Sequence, residues 1–111
     1  MEVLQILLGP ERAVEGDPLG RSALGWRTGM TEAEAWEAGR GVWKFKTDRA
    51  LAQEVAQVVN AQGTVLAVAT ITGISKHGDR FALEGRLLVG DARVGRPTAT
   101  PHRSRNSIAY F

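Results

Sequence analysis

The residues here with chemistry to offer are arginines, tryptophans and one polar run near the end, and what they offer is recognition. Arg40 stands between two glycines in Gly39-Arg40-Gly41-Val42-Trp43-Lys44-Phe45-Lys46. Flanking glycines open the backbone for close approach. A guanidinium presented there can fork onto a phosphate or a base edge. Its competing role is an ion pair with Glu32, Glu34 or Glu37. The run Pro101-His102-Arg103-Ser104-Arg105-Asn106 places donors at five consecutive positions after the proline. His102, Arg103 and Arg105 suit phosphate, Ser104 suits phosphate or backbone, and Asn106 can address a base edge or close a turn. Trp43, and Trp26 in a polar glycine-rich stretch, are candidate stacking walls for an unstacked base, a contact worth ~1–3 kcal/mol. Core packing is the competing role, for Trp36 as well as Trp43.

Catalysis is the lesser reading. His77 falls in a turn and His102 in the basic run, so no histidine pair has helical metal spacing. The chain has no Cys, which excludes disulfides and thiolate metal sites. No serine elbow or phosphate-binding glycine loop is present, and Glu32 and Glu34 are explained by a helix cap. No cofactor and no metal is expected.

The charge is distributed unevenly. The net charge is only +2, yet residues 1–39 hold seven acidic residues against three Arg, and residues 40–111 hold eleven Lys/Arg against five acidic. Beyond Asp91 there is no acidic residue, while Arg93, Arg96, Arg103 and Arg105 follow. Such an asymmetry is the footprint an anionic partner would use. Arg96 joins the candidate set on this ground. A chain of 111 residues with 43% hydrophobic and 23% charged content is expected to form one domain with an ordinary core. No apolar run approaches the ~20 residues of a membrane span. The start is acidic and too short in its apolar stretch for a signal peptide, so a cytoplasmic setting is expected.

Several elements must position these groups. Val3–Leu8, stopped by Gly9-Pro10, predicts a buried strand. Residues 9–30 are predicted as a long loop anchored by Leu19, Leu24, Trp26 and Met30. Thr31-Glu32-Ala33-Glu34 is a capping box opening a helix that ends at Gly39. Gly41–Lys46 is predicted as a strand. A helix is predicted over 48–60, with Leu51, Val55, Val58 and Val59 on one face. Residues 64–75 and 80–89 form a hairpin around Lys76-His77-Gly78-Asp79, and Gly73 and Gly85 mark bulges. A basic loop over 90–107 leads to a closing strand at 108–111.

Three groups of residues then line up in order: Arg40-Gly41-Val42-Trp43 after a helix; the strand Val65–Ile71; and Phe81-Ala82-Leu83-Glu84-Gly85 leading to Arg103-Ser104-Arg105-Asn106-Ser107-Ile108-Ala109-Tyr110. Together they resemble the PUA-like superfamily, which includes EVE, ASCH and YTH domains, over roughly residues 31–111. The nearest likeness is to small modules attached to bacterial nucleases and restriction systems, with an Arg-Gly-x-Trp element and an ending near Arg-x-x-Asn-Pro-x-x-Tyr. Two departures stand out. Ser107 replaces the proline, and segment 9–30 has no counterpart. The resemblance implies an α+β fold: a coiled, barrel-like, mostly antiparallel sheet with two or three helices. It also implies binding of RNA, or of a modified base flipped from DNA, at the mouth of the sheet.

The expectation is thus a single-domain nucleic-acid-binding module, with an unstacked or modified base as the group read. Arg40, Trp43, Trp26, Arg96 and His102–Asn106 are its contacts, and Arg40 and Trp43 share one pocket with the 103–106 loop. The alternatives are a small amidohydrolase of modified nucleosides, using Lys44, Lys46 and Glu84 as the resemblance allows, and a protein-interaction or regulatory protein. No membrane partner is expected.

Overall fold

The computed structural model describes residues 3–102 and 106–111. It is an α+β fold built on a five-stranded, mostly antiparallel sheet with two helices. The strands are β1 (Val3–Leu7), β4 (Val55–Val59), β5 (Val65–His77), β6 (Arg80–Leu87) and β7 (Ile108–Tyr110), in the order β6-β5-β4-β1-β7. β2 (Arg12–Ala13) and β3 (Ala23–Leu24) form a separate two-stranded ribbon. The helices are α1 (Glu32–Gly39) and α2 (Thr47–Leu51). β1 pairs parallel with β4 and antiparallel with β7. The sheet is open among the described residues, with β6 and β7 at its edges.

The central strands bury both faces. Leu4 and Ile6 of β1, Ala56 and Val58 of β4, and Ala67 and Ala69 of β5 pack under Ala35, Trp36 and Ala38 of α1. On the other face Val3, Val55, Val59, Val65 and Val68 lie beneath Leu88 and Val94 from the loop after β6. That second face also carries two buried amides, Gln5 and Gln57. Gln5 Nε2 donates to Gln57 Oε1 (2.9 Å) and to the Thr100 carbonyl (2.8 Å), and the Thr98 hydroxyl donates to Gln57 Oε1 (2.8 Å). Buried amides need such partners, because each unmatched donor or acceptor costs free energy.

Several expected elements stand as predicted. α1 carries its capping box, with Glu34 N–H donating to Thr31 Oγ1 and Thr31 N–H donating to Glu34 Oε1. The hairpin β5–β6 slips register between Ile71 and Gly73. Opposite that bulge, a Cβ on Gly85 would lie 2.0 Å from the Thr70 carbonyl oxygen, so only glycine fits.

Three elements differ, the first being the 9–30 segment, expected as a loop throughout, which contains the β2–β3 ribbon. The expected helix over 48–60 is helical only at Thr47–Leu51, and Val55–Val59 is the strand between β1 and β5. A strand buried on both faces reads as a continuous apolar run, so the spacing of Leu51, Val55, Val58 and Val59 mimics a helical face. Three of the five β4 residues are valine, which favours the pleated form. The expected strand at Gly41–Lys46 shrinks to one bridge, Trp43 to Phe81. Here the chain leans on the edge of β6: Leu83 N–H donates to the Arg40 carbonyl, and Trp43 and Phe81 exchange backbone hydrogen bonds. The Gly41–Val42 peptide bond is cis. Gly41 is required by contact rather than by a ligand, since a Cβ there would meet Ala82 Cβ at 2.6 Å.

The segment 9–30 is ordered by its own polar strut. Asp17 accepts from the Leu19 and Arg21 amides and from Arg21 Nε (2.8 Å) and Nη2 (2.9 Å). Arg21 Nη1 donates onward to the carbonyls of Glu37, Ala38 and Gly41. It therefore caps the C-terminal end of α1, where carbonyls lack helical partners and a cation is favoured. No helix among the described residues is long and apolar enough to cross a membrane.

Candidate functional site

Two adjoining clefts meet at the Trp43 segment. The first, about 400 Å³, runs between residues 43–49 and the end of the chain. Trp43, Phe45 and Tyr110 give it aromatic surface, Lys44, Lys46 and Arg49 give it positive charge, and Asn106, Ser107 and Ile108 complete it. The second, about 360 Å³, lies under the 9–30 segment, with Arg12, Arg80, Leu24 and Val42 in its wall. Trp43 and Ser107 border both.

The sequence explains this placement. Trp43 is fixed by its indole N–H, which donates to the Gly39 carbonyl (2.7 Å), and by its backbone pairing with Phe81. Phe45 packs against Phe81, with ring centroids 5.8 Å apart. α2 turns Arg49 toward β7 while Ala50 is buried beneath it. β7 pairs Tyr110 with Leu4 and Ile108 with Ile6, so alternation sends both side chains to the same face as the α1-side core.

The electrostatics separate two kinds of cation. Arg21 is paired with Asp17, Arg27 with Glu34 and Glu11, Arg40 with Glu37 and Glu84, and Arg93 with Asp91. Lys44 reaches Asp79 at 3.3 Å in an exposed pair. Among the described residues no ion pair is formed by Lys46 and Arg49 in the first cleft, or by Arg12 and Arg80 in the second. The Arg49 guanidinium instead lies over the Tyr110 ring, 4.1 Å from its centroid. Burial raises the Tyr110 phenol above its ordinary pKa, with Arg49 acting in the opposite direction. Its hydroxyl is buried and has no hydrogen-bond partner among the described residues.

The nine residues expected from sequence are distributed unevenly. Trp43 and Asn106 come together in the first cleft. Arg40 lines neither cleft. Its side chain is only 16% exposed, held between Glu37 (3.1 Å) and Glu84 (3.0 Å), and it also donates to the Leu83 carbonyl. Its ion-pair role is the one realised. Trp26 packs against the core and borders a separate hollow with Pro10 and Gln62. Arg96 is exposed beside an apolar hollow of about 590 Å³, lined also by Val3, Val65 and Phe111 of the opposite sheet face. His102 points inward, with Nδ1 2.8 Å from Gln5 Oε1 and Nε2 2.7 Å from the Asn106 carbonyl oxygen. It thereby ties the last loop to the sheet. Arg103, Ser104 and Arg105 lie outside the described residues.

Sequence reading missed Arg12, Arg49 and Arg80, and it weighed Lys44 and Lys46 only for hydrolysis. Glu84, the acid of that alternative, is bound by Arg40 and by the Ser75 hydroxyl (2.9 Å) and lines neither cleft. Comparison with protein-family models, curated proteins and solved structures returns no match for this chain.

Proposed function

We propose that this chain is a small nucleic-acid-binding module of the PUA-like kind, acting in the cytoplasm and reading an unstacked base, modified or unmodified. The observation that carries this reading is that Lys46, Arg49, Arg12 and Arg80, which form no ion pair among the described residues, line two clefts that share Trp43 and Ser107. Phosphates suit Lys46 and Arg49, which form no ion pair among the described residues, and bases suit the aromatic faces beside them. A base has room in the second cleft, where Leu24 and Val42 offer apolar surface and Arg12 and Arg80 offer forked donors. The long β5 and its bulge are compatible with the coiled sheet of this superfamily, since a bulge increases local twist. The hydrolase alternative is disfavoured by the engagement of Glu84 with Arg40.

The test is fluorescence anisotropy with labelled DNA and RNA oligonucleotides, single-stranded and duplex, with and without base modifications. Binding is expected at low salt. For a single strand meeting two to four cations, log K should fall against log salt with a slope of roughly −1.5 to −3. Arg80→Ala and Lys46→Ala should each weaken it. Absence of binding to every oligonucleotide at low salt overturns the proposal.

A further inference from the structure

We infer that the Tyr110 ring is a covered stacking platform for a nucleobase, and that Arg49 is both its cover and, once displaced, a phosphate contact. This rests on the nucleic-acid reading above and names how the first cleft would work.

Three observations converge on the pair. The Arg49 guanidinium sits 4.1 Å from the Tyr110 ring centroid, inside the ~6 Å reach of a cation–π contact. One ring face cannot hold a guanidinium and a base at once. Arg49 is exposed and forms no ion pair among the described residues, and among them it is this stacking contact that holds its charged group. Both residues line the same open cleft as Trp43, Phe45 and Lys46, so a strand entering it meets the pair directly.

The exchange follows from the charges. A base brings its own π-face to Tyr110, and its phosphate brings an anion that no described residue gives Arg49. A guanidinium moved from an aromatic face to a phosphate gains a forked, charge-assisted contact. A neutral nucleoside brings the ring without the phosphate. It must compete with Arg49 for the Tyr110 face and gains nothing from displacing it.

That difference gives opposite signs for two ligands. Arg49→Ala, Arg49→Lys and Tyr110→Leu are compared with the parent chain, using the tightest single-stranded oligonucleotide of the panel and adenosine as probes. For the oligonucleotide, Arg49→Ala should weaken binding several-fold and reduce the salt slope by about 0.7, one phosphate contact. For adenosine, Arg49→Ala should strengthen binding several-fold, read by shifts of the Tyr110 ring protons in NMR spectra. Arg49→Lys should keep the slope, because the charge remains. Tyr110→Leu should weaken both probes about tenfold, as loss of one stacked base does. An unchanged slope together with unchanged adenosine binding in Arg49→Ala overturns this inference and leaves the broader reading standing. Failure of the parent chain to bind either probe removes both.

Discussion

Two arginine-bearing regions of this molecule lie side by side and behave differently. In the first, residues 17–40, every described arginine meets a carboxylate: Arg21 with Asp17, Arg27 with Glu34, Arg40 with Glu37 and Glu84. In the second, residues 43–49, Lys46 and Arg49 meet none among the described residues. The first region uses charge to hold the turn at residues 17–21 and the end of α1 in place, where backbone groups left without ladder or helix partners are satisfied by side chains. The second leaves charge available at the edge of the sheet. Net charge and its drift along the chain do not separate these roles. Pairing and burial do.

The largest effect should come from Arg21. It and Asp17 are nearly inaccessible, with side chains 8% and 5% exposed. Arg21→Ala leaves a buried carboxylate without its cation and strips three carbonyls of a donor. A loss of about 3–5 kcal/mol is expected in urea unfolding. A loss under about 1 kcal/mol would break the contrast between the regions.

Acid should expose the same strut. Hydrogen bonds from the Arg21 side chain hold the Asp17 carboxyl at about 2, below its ordinary 3.8. A depressed carboxylate contributes stability that is full above its unfolded pKa and is lost as pH falls through the folded one. The contribution, on the order of 1–2 kcal/mol, should therefore disappear between about pH 4 and pH 2. Asp91, held at about 2 mainly by side-chain hydrogen bonds from Arg93, adds to the same limb. Unfolding curves of Asp17→Asn against pH should be flatter there than those of the parent.

Smaller effects belong to the cleft. Lys46→Ala should change unfolding free energy by no more than about 0.5 kcal/mol while weakening oligonucleotide binding. An equal loss of stability and affinity would assign Lys46 to the fold. Smallest of all is Tyr110→Phe. Removing a buried hydroxyl that has no partner among the described residues should leave stability unchanged or raise it by about 0.3 kcal/mol at most in thermal melts. A loss would mean that the hydroxyl is satisfied after all.

Much of the fold was legible because its signals are local. The capping box at Thr31, the Gly9-Pro10 stop after β1 and the hairpin turn each act within a few residues, although the turn is only Gly78-Asp79, because β5 runs on through Lys76 and His77. Gly73 and Gly85 marked the bulge because a side chain at Gly85 has no room. β4 was illegible for a tertiary reason: burial on both faces erases the alternation that identifies a strand. The site divides the same way. Trp43 and Asn106 could be read from residue type and position. Arg12, Arg49 and Arg80 could not, since their lack of acidic partners among the described residues arises only when the chain is packed. Arg21 did leave a signal, the Asp17–Arg21 spacing inside a Gly/Pro-rich segment, and it passed unread.

The strand order has a consequence for how the chain reaches its native form. β1 lies between β4 and β7, yet its contact with β4 joins residues 52 apart, as at Gln5 and Gln57. Its contact with β7 joins residues about 100 apart, a separation whose loop-closure entropy delays pairing. β4, β5 and β6 are neighbours in sequence and can assemble first as a meander, with β1 docking later and β7 sealing it. During synthesis at ~5–20 residues per second, Val3–Leu8 waits several seconds for either partner, an interval in which a chaperone would find its apolar face uncovered.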